Sequence, residues 1–282
     1  MRTRASIALL IPLACLLGCS LPYTPSSQFL SGNWSNWQIQ AGPSTSVPPT
    51  ALTSPPTGIY LIGAMQLQGS QATAVFQTNA ASGGAGIVNF SGSFDSTTSV
   101  LAISSTPAYL GVQLTLPADP TNLATGNMTV GCPPPPPGGA TCTVIALFPA
   151  AGAEIAPLNG TYTGTFTESA STLASPIPSG AVSLALTQSS TPNADGSFPL
   201  TGTFSFIGGG CDSGFPLTGT VSGEGITLNW TEIAPYWGAI TFTASTNPAA
   251  TQIAATSVVF ANSPCGNSNT GSTTYTGPLT LQ

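Results

Sequence analysis

Apolar and polar residues alternate with a period of two along most of this chain. Past residue 20 no long 3.6-residue period replaces that alternation. Glu224-Gly-Ile226-Thr-Leu228-Asn-Trp230-Thr-Glu232 is the clearest instance: one parity carries Ile226, Leu228 and Trp230, the other Gly225, Thr227, Asn229 and Thr231. Successive side chains of a strand point to opposite faces, so the pattern predicts a half-buried strand with an apolar inner side. GIYLIGAMQLQ, GIVNFSGSF, AVSLALTQ, FPLTGTFSF, WGAITFTAS and IAATSVVFA read the same way. Clusters of Gly, Pro, Asn and Ser separate them at hairpin spacing. The expected fold class is all-β.

The chain also repeats itself. Leu30-Ser-Gly32-Asn-Trp34 returns as Leu158-Asn-Gly160-Thr-Tyr162 at an offset of 128, each followed by a Ser/Thr/Pro-rich loop. Phe90-Ser-Gly92-Ser-Phe94 returns as Leu217-Thr-Gly219-Thr-Val221, and Tyr109-Leu-Gly111 as Tyr236-Trp-Gly238, both at an offset of 127. Matches in one order at a nearly constant offset indicate a duplication into two units of about 120 residues, an ordinary domain size. Roughly six to eight strands fit in each unit, which predicts two tandem antiparallel meander domains, closed as barrels in preference to sandwiches. Closure removes strand edges, which a chain without lysine cannot guard by edge charges. The expected divisions are 1–18, 19–29, 30–150 and 151–282, the last two being duplicate β-domains.

Residues 1–18 read as a signal peptide. Arg2 and Arg4 precede an apolar run from Ala5 to Leu17, broken only by Ser6 and Pro12. A basic start, an apolar segment of this length and a small residue before a cut point make a secretory signal. As a spanning helix the run is too short, since about 20 apolar residues are needed. Leu16-Leu17-Gly18-Cys19 resembles the lipobox of bacterial lipoproteins, with Leu17 bulkier than the pattern's usual residue. That resemblance implies cleavage before Cys19, a diacylglyceryl thioether on Cys19 and an acylated amine. Residues 19–29 then form a lipidated tether, and the implied partner is a membrane, reached through the lipid anchor. Several acyl chains hold a protein stably where one does so only marginally. Ser20, rather than Asp, follows Cys19 and leaves transport to the outer membrane open, so the implied location is the bacterial cell envelope.

Cleavage would remove both arginines and leave all eight acidic residues. The remaining chain would carry no Lys, Arg or His. It offers no imidazole for Ser-His or Cys-His catalysis and no lysine for a phosphate loop. A nucleic-acid backbone would meet no side-chain cation, and histidine-based zinc sites cannot form. Hydrophobicity is nonetheless ordinary, with 41% apolar residues, unlike the weak hydrophobicity of disordered chains. Ser, Thr, Asn, Gly and Gln do the solvating. No catalytic residues, metal ligands or cofactor are expected.

With Cys15 lost and Cys19 acylated, Cys132, Cys142, Cys211 and Cys265 remain, and four cysteines allow three pairings. Proximity favours Cys132–Cys142, which leaves Cys211–Cys265. A four-thiolate zinc site is the alternative, but the paired C-x2-C spacing is missing and export favours disulfides. The intervening Cys132-PPPPPGGAT-Cys142 stretch reads as a stapled hairpin tip.

Gly32-Asn-Trp34 and Gly160-Thr-Tyr162 resemble the Gly-x-Trp of the first strand in lipocalin- and avidin-like barrels, without the arginine that packs over the tryptophan in lipocalins. Trp34, Tyr162, Trp230 and Trp237 are the candidate ligand-lining residues; buried core aromatics are the alternative reading. Glu224 and Glu232 lie about 26 Å apart along one straight strand, too far for a glycosidase pair. A carboxylate-only hydrolase would need Asp195 or Asp212 folded against one of them. The expected function is that of a non-enzymatic, lipid-anchored envelope protein binding a neutral or apolar ligand or a protein partner. The alternative is a structural or surface-display lipoprotein without a pocket.

Overall fold

The computed structural model describes residues 32–42, 51–53, 58–81, 84–118, 122–131, 146–172, 179–207, 214–231, 238–261 and 271–282. Within them the chain is all-β and forms two closed eight-stranded antiparallel barrels in tandem. Barrel 1 comprises β1 (Trp34–Ala41), β2 (Ile59–Gln68), β3 (Gln71–Ala81), β4 (Gly84–Asp95), β5 (Val100–Thr106), β6 (Leu110–Thr115), β7 (Ala124–Val130) and β8 (Ala146–Ile155). Barrel 2 comprises β9 (Gly160–Ser171), β10 (Gly180–Gln188), β11 (Phe198–Phe206), β12 (Phe215–Ser222), β13 (Gly225–Thr231), β14 (Ala239–Thr246), β15 (Gln252–Ala261) and β16 (Ser272–Leu281). Each strand pairs with the next, and β8 returns to β1 as β16 returns to β9.

The alternation sets which residues face the lumen. In barrel 1, Ile39 lies between Leu61 and Gly152, and all three point inward with Trp37, Met65, Phe76 and Phe90. Barrel 2 is filled by aromatic rings. Phe166 stacks on Phe204 with centroids 5.7 Å apart, and Phe206, Phe260 and Tyr275 extend the cluster at 5.1–6.2 Å. Rings at these separations gain stabilisation beyond their buried area.

Gly92 and Gly219, brought into correspondence by the sequence repeat, occupy the same place in the fourth strand of each barrel. A Cβ on Gly92 would overlap the Ala102 carbonyl oxygen and lie 2.7 Å from the Ile103 Cα. On Gly219 it would overlap the Thr227 carbonyl oxygen and lie 2.8 Å from the Leu228 Cα. At these points the backbone of the fifth strand lies so close to the fourth that only hydrogen fits, the close backbone approach for which a strand uses glycine.

Trp34 and Tyr162, aligned by the sequence echo, are not equivalent in the fold. Trp34 points outward from β1, whereas Tyr162 points into barrel 2 and donates its hydroxyl to the Ala250 carbonyl at 2.8 Å. Tyr162 stands opposite Leu281, and Trp37 stands opposite Glu154, in each case at the last inward position of the eighth strand. Trp37 is therefore the counterpart of Tyr162. The division drawn at 150/151 falls inside β8, because the small residues Ala150–Ala153 stay paired with the neighbouring strands instead of turning. The barrels are joined at residues 156–159. Ala156 N–H donates to the Pro248 carbonyl, and Leu158 N–H donates to Gln188 Oε1.

The turn end of barrel 2 is docked on the side of barrel 1. Asn36 closes a two-bond ring with Gly223, donating from Nδ2 to its carbonyl and accepting from its N–H, both at 2.8 Å. Gln38 Oε1 accepts from Glu224 N–H at 3.0 Å, and its Nε2 donates to the Thr53 carbonyl at 2.9 Å. Asn36, Gln38 and Gln40 are at most 2% exposed although they face out of barrel 1. A buried polar group needs partners, and an amide supplies a donor and an acceptor without the cost of burying a charge. Ala64 and Trp34, also on the outer wall, pack into the hydrophobic cluster of barrel 2.

Candidate functional site

Beside this seam lies an open crevice of about 490 Å³ between the barrels. Its floor is the outer wall of barrel 2. Thr220, Thr227 and Thr243 stand side by side in register across β12, β13 and β14, with Ser222, Gly225 and Ser245 forming the next row. Ile62 and Gln77 of barrel 1 face this floor, and the loop between β10 and β11 closes one flank with Asp195 and Ser197. The hydroxyls of Thr220, Thr227, Thr243 and Ser245 make no internal hydrogen bond among the described residues. The Ser222 Oγ is buried without a hydrogen-bond partner there.

Asp195 is held in place by its own loop and by the other barrel. Its Oδ1 accepts from Ser197 N–H at 3.0 Å and from Ser197 Oγ at 2.7 Å, while its Oδ2 accepts from Gln77 Nε2 at 3.3 Å. It is the one carboxylate among the described residues lining the crevice. Glu224 sits in the turn before β13 and not on the strand, 8% exposed, where burial pushes its carboxyl up to about 7. The structure does not assemble an acid pair here, and Asp212 and Glu232 lie outside the described residues. No group of three or more Cys, Asp or Glu side chains converges as a metal site among the described residues.

The pH behaviour of Glu224 follows from its burial. The unfolded chain releases this proton near 4.5 and the folded chain near 7, so across that window the folded state binds more protons. Stability is therefore fullest below pH 4.5 and falls as pH rises toward 7. Glu224→Gln is expected to match wild type at pH 4.5 and to exceed it by about 2 kcal/mol at pH 8. A tenfold change in proton affinity is worth about 1.4 kcal/mol, and solvent at the rim of the turn screens part of the total. Denaturant titrations at the two pH values would show this; equal differences at both would refute it.

The four aromatic candidates are not gathered around one opening. Tyr162 belongs to the packed core of barrel 2, and Trp230 sits at its margin, edge-on to Phe215 at 5.1 Å. Trp34 lies in the seam between the barrels, and Trp237 falls outside the described residues. So do Cys19 and the four cysteines of the two expected bridges, Cys132–Cys142 and Cys211–Cys265.

No family model, curated protein or solved structure matches this chain. The crevice is not legible in the sequence because its walls come from different barrels. One signal does point to it: Thr220, Thr227 and Thr243 all occupy the polar parity of strands whose other parity is strongly apolar.

Proposed function

We propose that this protein is a non-catalytic, lipid-anchored component of a bacterial cell envelope whose two docked barrels act as a binding module for a neutral ligand, held in the inter-barrel crevice. The crevice carries the proposal: it has the volume of a small-molecule site, and its walls are hydroxyls, amides and a single carboxylate. Side chains fill the barrel interiors, which favours the groove between them over the lumens as the place for a ligand. The missing Lys, Arg and His of the processed chain support a neutral ligand over an anionic one. The lipobox resemblance at Leu16–Cys19 supports the anchor.

Two measurements test this reading. Cys19→Ser is expected to move the protein from the membrane fraction to the soluble fraction, because thioether acylation is lost; unchanged membrane retention would remove the anchor. Native mass spectrometry of the protein released gently from its host's membranes is expected to show a bound small molecule. Bare protein under every mild condition would favour the spacer reading instead.

A further inference from the structure

We infer that the inter-barrel crevice binds a neutral oligosaccharide, laid across the hydroxyl rows of β12, β13 and β14; this rests on the binding role proposed above. The rows do not stop at the crevice. Thr218, Asn229 and Thr241 continue the threonine row in register toward the opposite end of barrel 2, and all three are exposed. Adjacent strands stand about 4.8 Å apart and successive same-face residues about 6.7 Å apart. The wall thus offers a lattice of uncharged donors and acceptors that begins under Gln77 and runs out into the open.

The chemistry selects the ligand class. Each threonine presents a hydroxyl that both donates and accepts, beside a methyl group. A sugar presents the same pair: hydroxyls on its rim and C–H groups on its ring faces. An apolar ligand would bury the free hydroxyls of Thr220, Thr227 and Thr243 unpaired, at a cost in every contact. An anion would meet Asp195 and no cation. Asp195, already oriented by Ser197, is placed to accept from a ligand hydroxyl, the charge-assisted bond that fixes a sugar's orientation. The Ser222 Oγ, buried without a partner beside the floor, gives the site one more group to satisfy on binding.

The test is calorimetric titration of the full chain in detergent with cellobiose, maltose, chitobiose and mannobiose, and with the tetrasaccharide of each. At least one series is expected to bind, and its tetrasaccharide several-fold more tightly than its disaccharide because the rows continue past the crevice. Thr220→Val with Thr243→Val keeps shape and strand propensity while removing two hydroxyls, and is expected to weaken binding at least tenfold. Thr165→Val with Thr167→Val makes the same change on β9, on the far side of the barrel, and is expected to leave affinity unchanged. Circular dichroism melts of both pairs separate loss of binding from loss of fold. Binding by none of the eight sugars overturns the inference, as does equal affinity in the two paired variants. If the sugars fail while a native-source ligand is still lost from Thr220→Val with Thr243→Val, the saccharide class is wrong and the crevice's binding role stands.

Discussion

Gly219→Ala is expected to cost about 3 kcal/mol or more and to lower the melting temperature by about 10 °C. The added methyl has no free volume to enter: it meets the Thr227 carbonyl oxygen and the Leu228 Cα, both backbone atoms of the neighbouring strand. A side chain in the way could change rotamer, but a paired backbone moves only if the β12–β13 ladder opens. Gly92→Ala is expected to have a comparable effect on barrel 1, since Ala102 and Ile103 stand in the same relation to it. The control is Gly69→Ala in the β2–β3 turn, where φ is +62° and nothing lies within 4 Å of the new methyl. That change carries only the left-handed penalty, about 1–2 kcal/mol. Thermal melts by circular dichroism compare the three. Gly219→Ala no worse than Gly69→Ala would mean that this close approach is not needed for closure.

Asn36→Ala strikes the seam, and its expected cost is about 3 kcal/mol. The Gly223 N–H and C=O each lose their partner in a buried place, at roughly 1–3 kcal/mol for each group left unsatisfied. Water has little room to replace the amide, because Gly223 is pressed so near barrel 1 that a Cβ on it would stand 2.5 Å from Gln38 Oε1. The loss falls on docking and not on either lumen, so the form of unfolding should change as well. Wild type is expected to melt in one calorimetric transition; Asn36→Ala is expected to melt in two, one for each barrel. Asn89→Ala, an exposed amide on the outer wall of β4, should stay within about 0.5 kcal/mol of wild type. A single undisturbed transition in Asn36→Ala would show that covalent linkage, and not the amide ladder, couples the barrels.

The elements are legible in the residues, and the contacts between them much less so. Ile226, Leu228 and Trp230 face inward as their parity predicts, and β4 and β12 carry the two matched Phe/Leu-x-Gly segments in the corresponding strand of each barrel. Closure follows from many short alternating strands with no charged edges. The echo misleads at Trp34, because local similarity of Gly-x-Trp and Gly-x-Tyr does not record strand register, which Glu154 and Leu281 reveal from the far end of each repeat. Asn36, Gln38 and Gln40 look like an ordinary solvated parity; their partners are the docked turn of Gly223 and Glu224 for Asn36 and Gln38, and Thr53 for Gln38 and Gln40. The crevice is hidden for the same reason: Gln77 and Asp195 are 118 residues apart and belong to different repeats.

The counterparts of Asn36, Gln38 and Gln40 in the second repeat, counted from Trp37 and Tyr162, are Thr161, Thr163 and Thr165. An end resting on a side is a directional contact, with a giver and a receiver and no two-fold axis to enforce likeness. The two barrels, alike in strand topology, therefore meet as different parts. In the first strand of the receiver Asn36 and Gln38 answer the buried backbone of Gly223 and Glu224, while Gln40 answers Thr53; in the first strand of the giver Thr161 and Thr165 are exposed and present only hydroxyls. The difference between Asn36 and Thr161 and between Gln38 and Thr163 is where the docking can be read in the sequence.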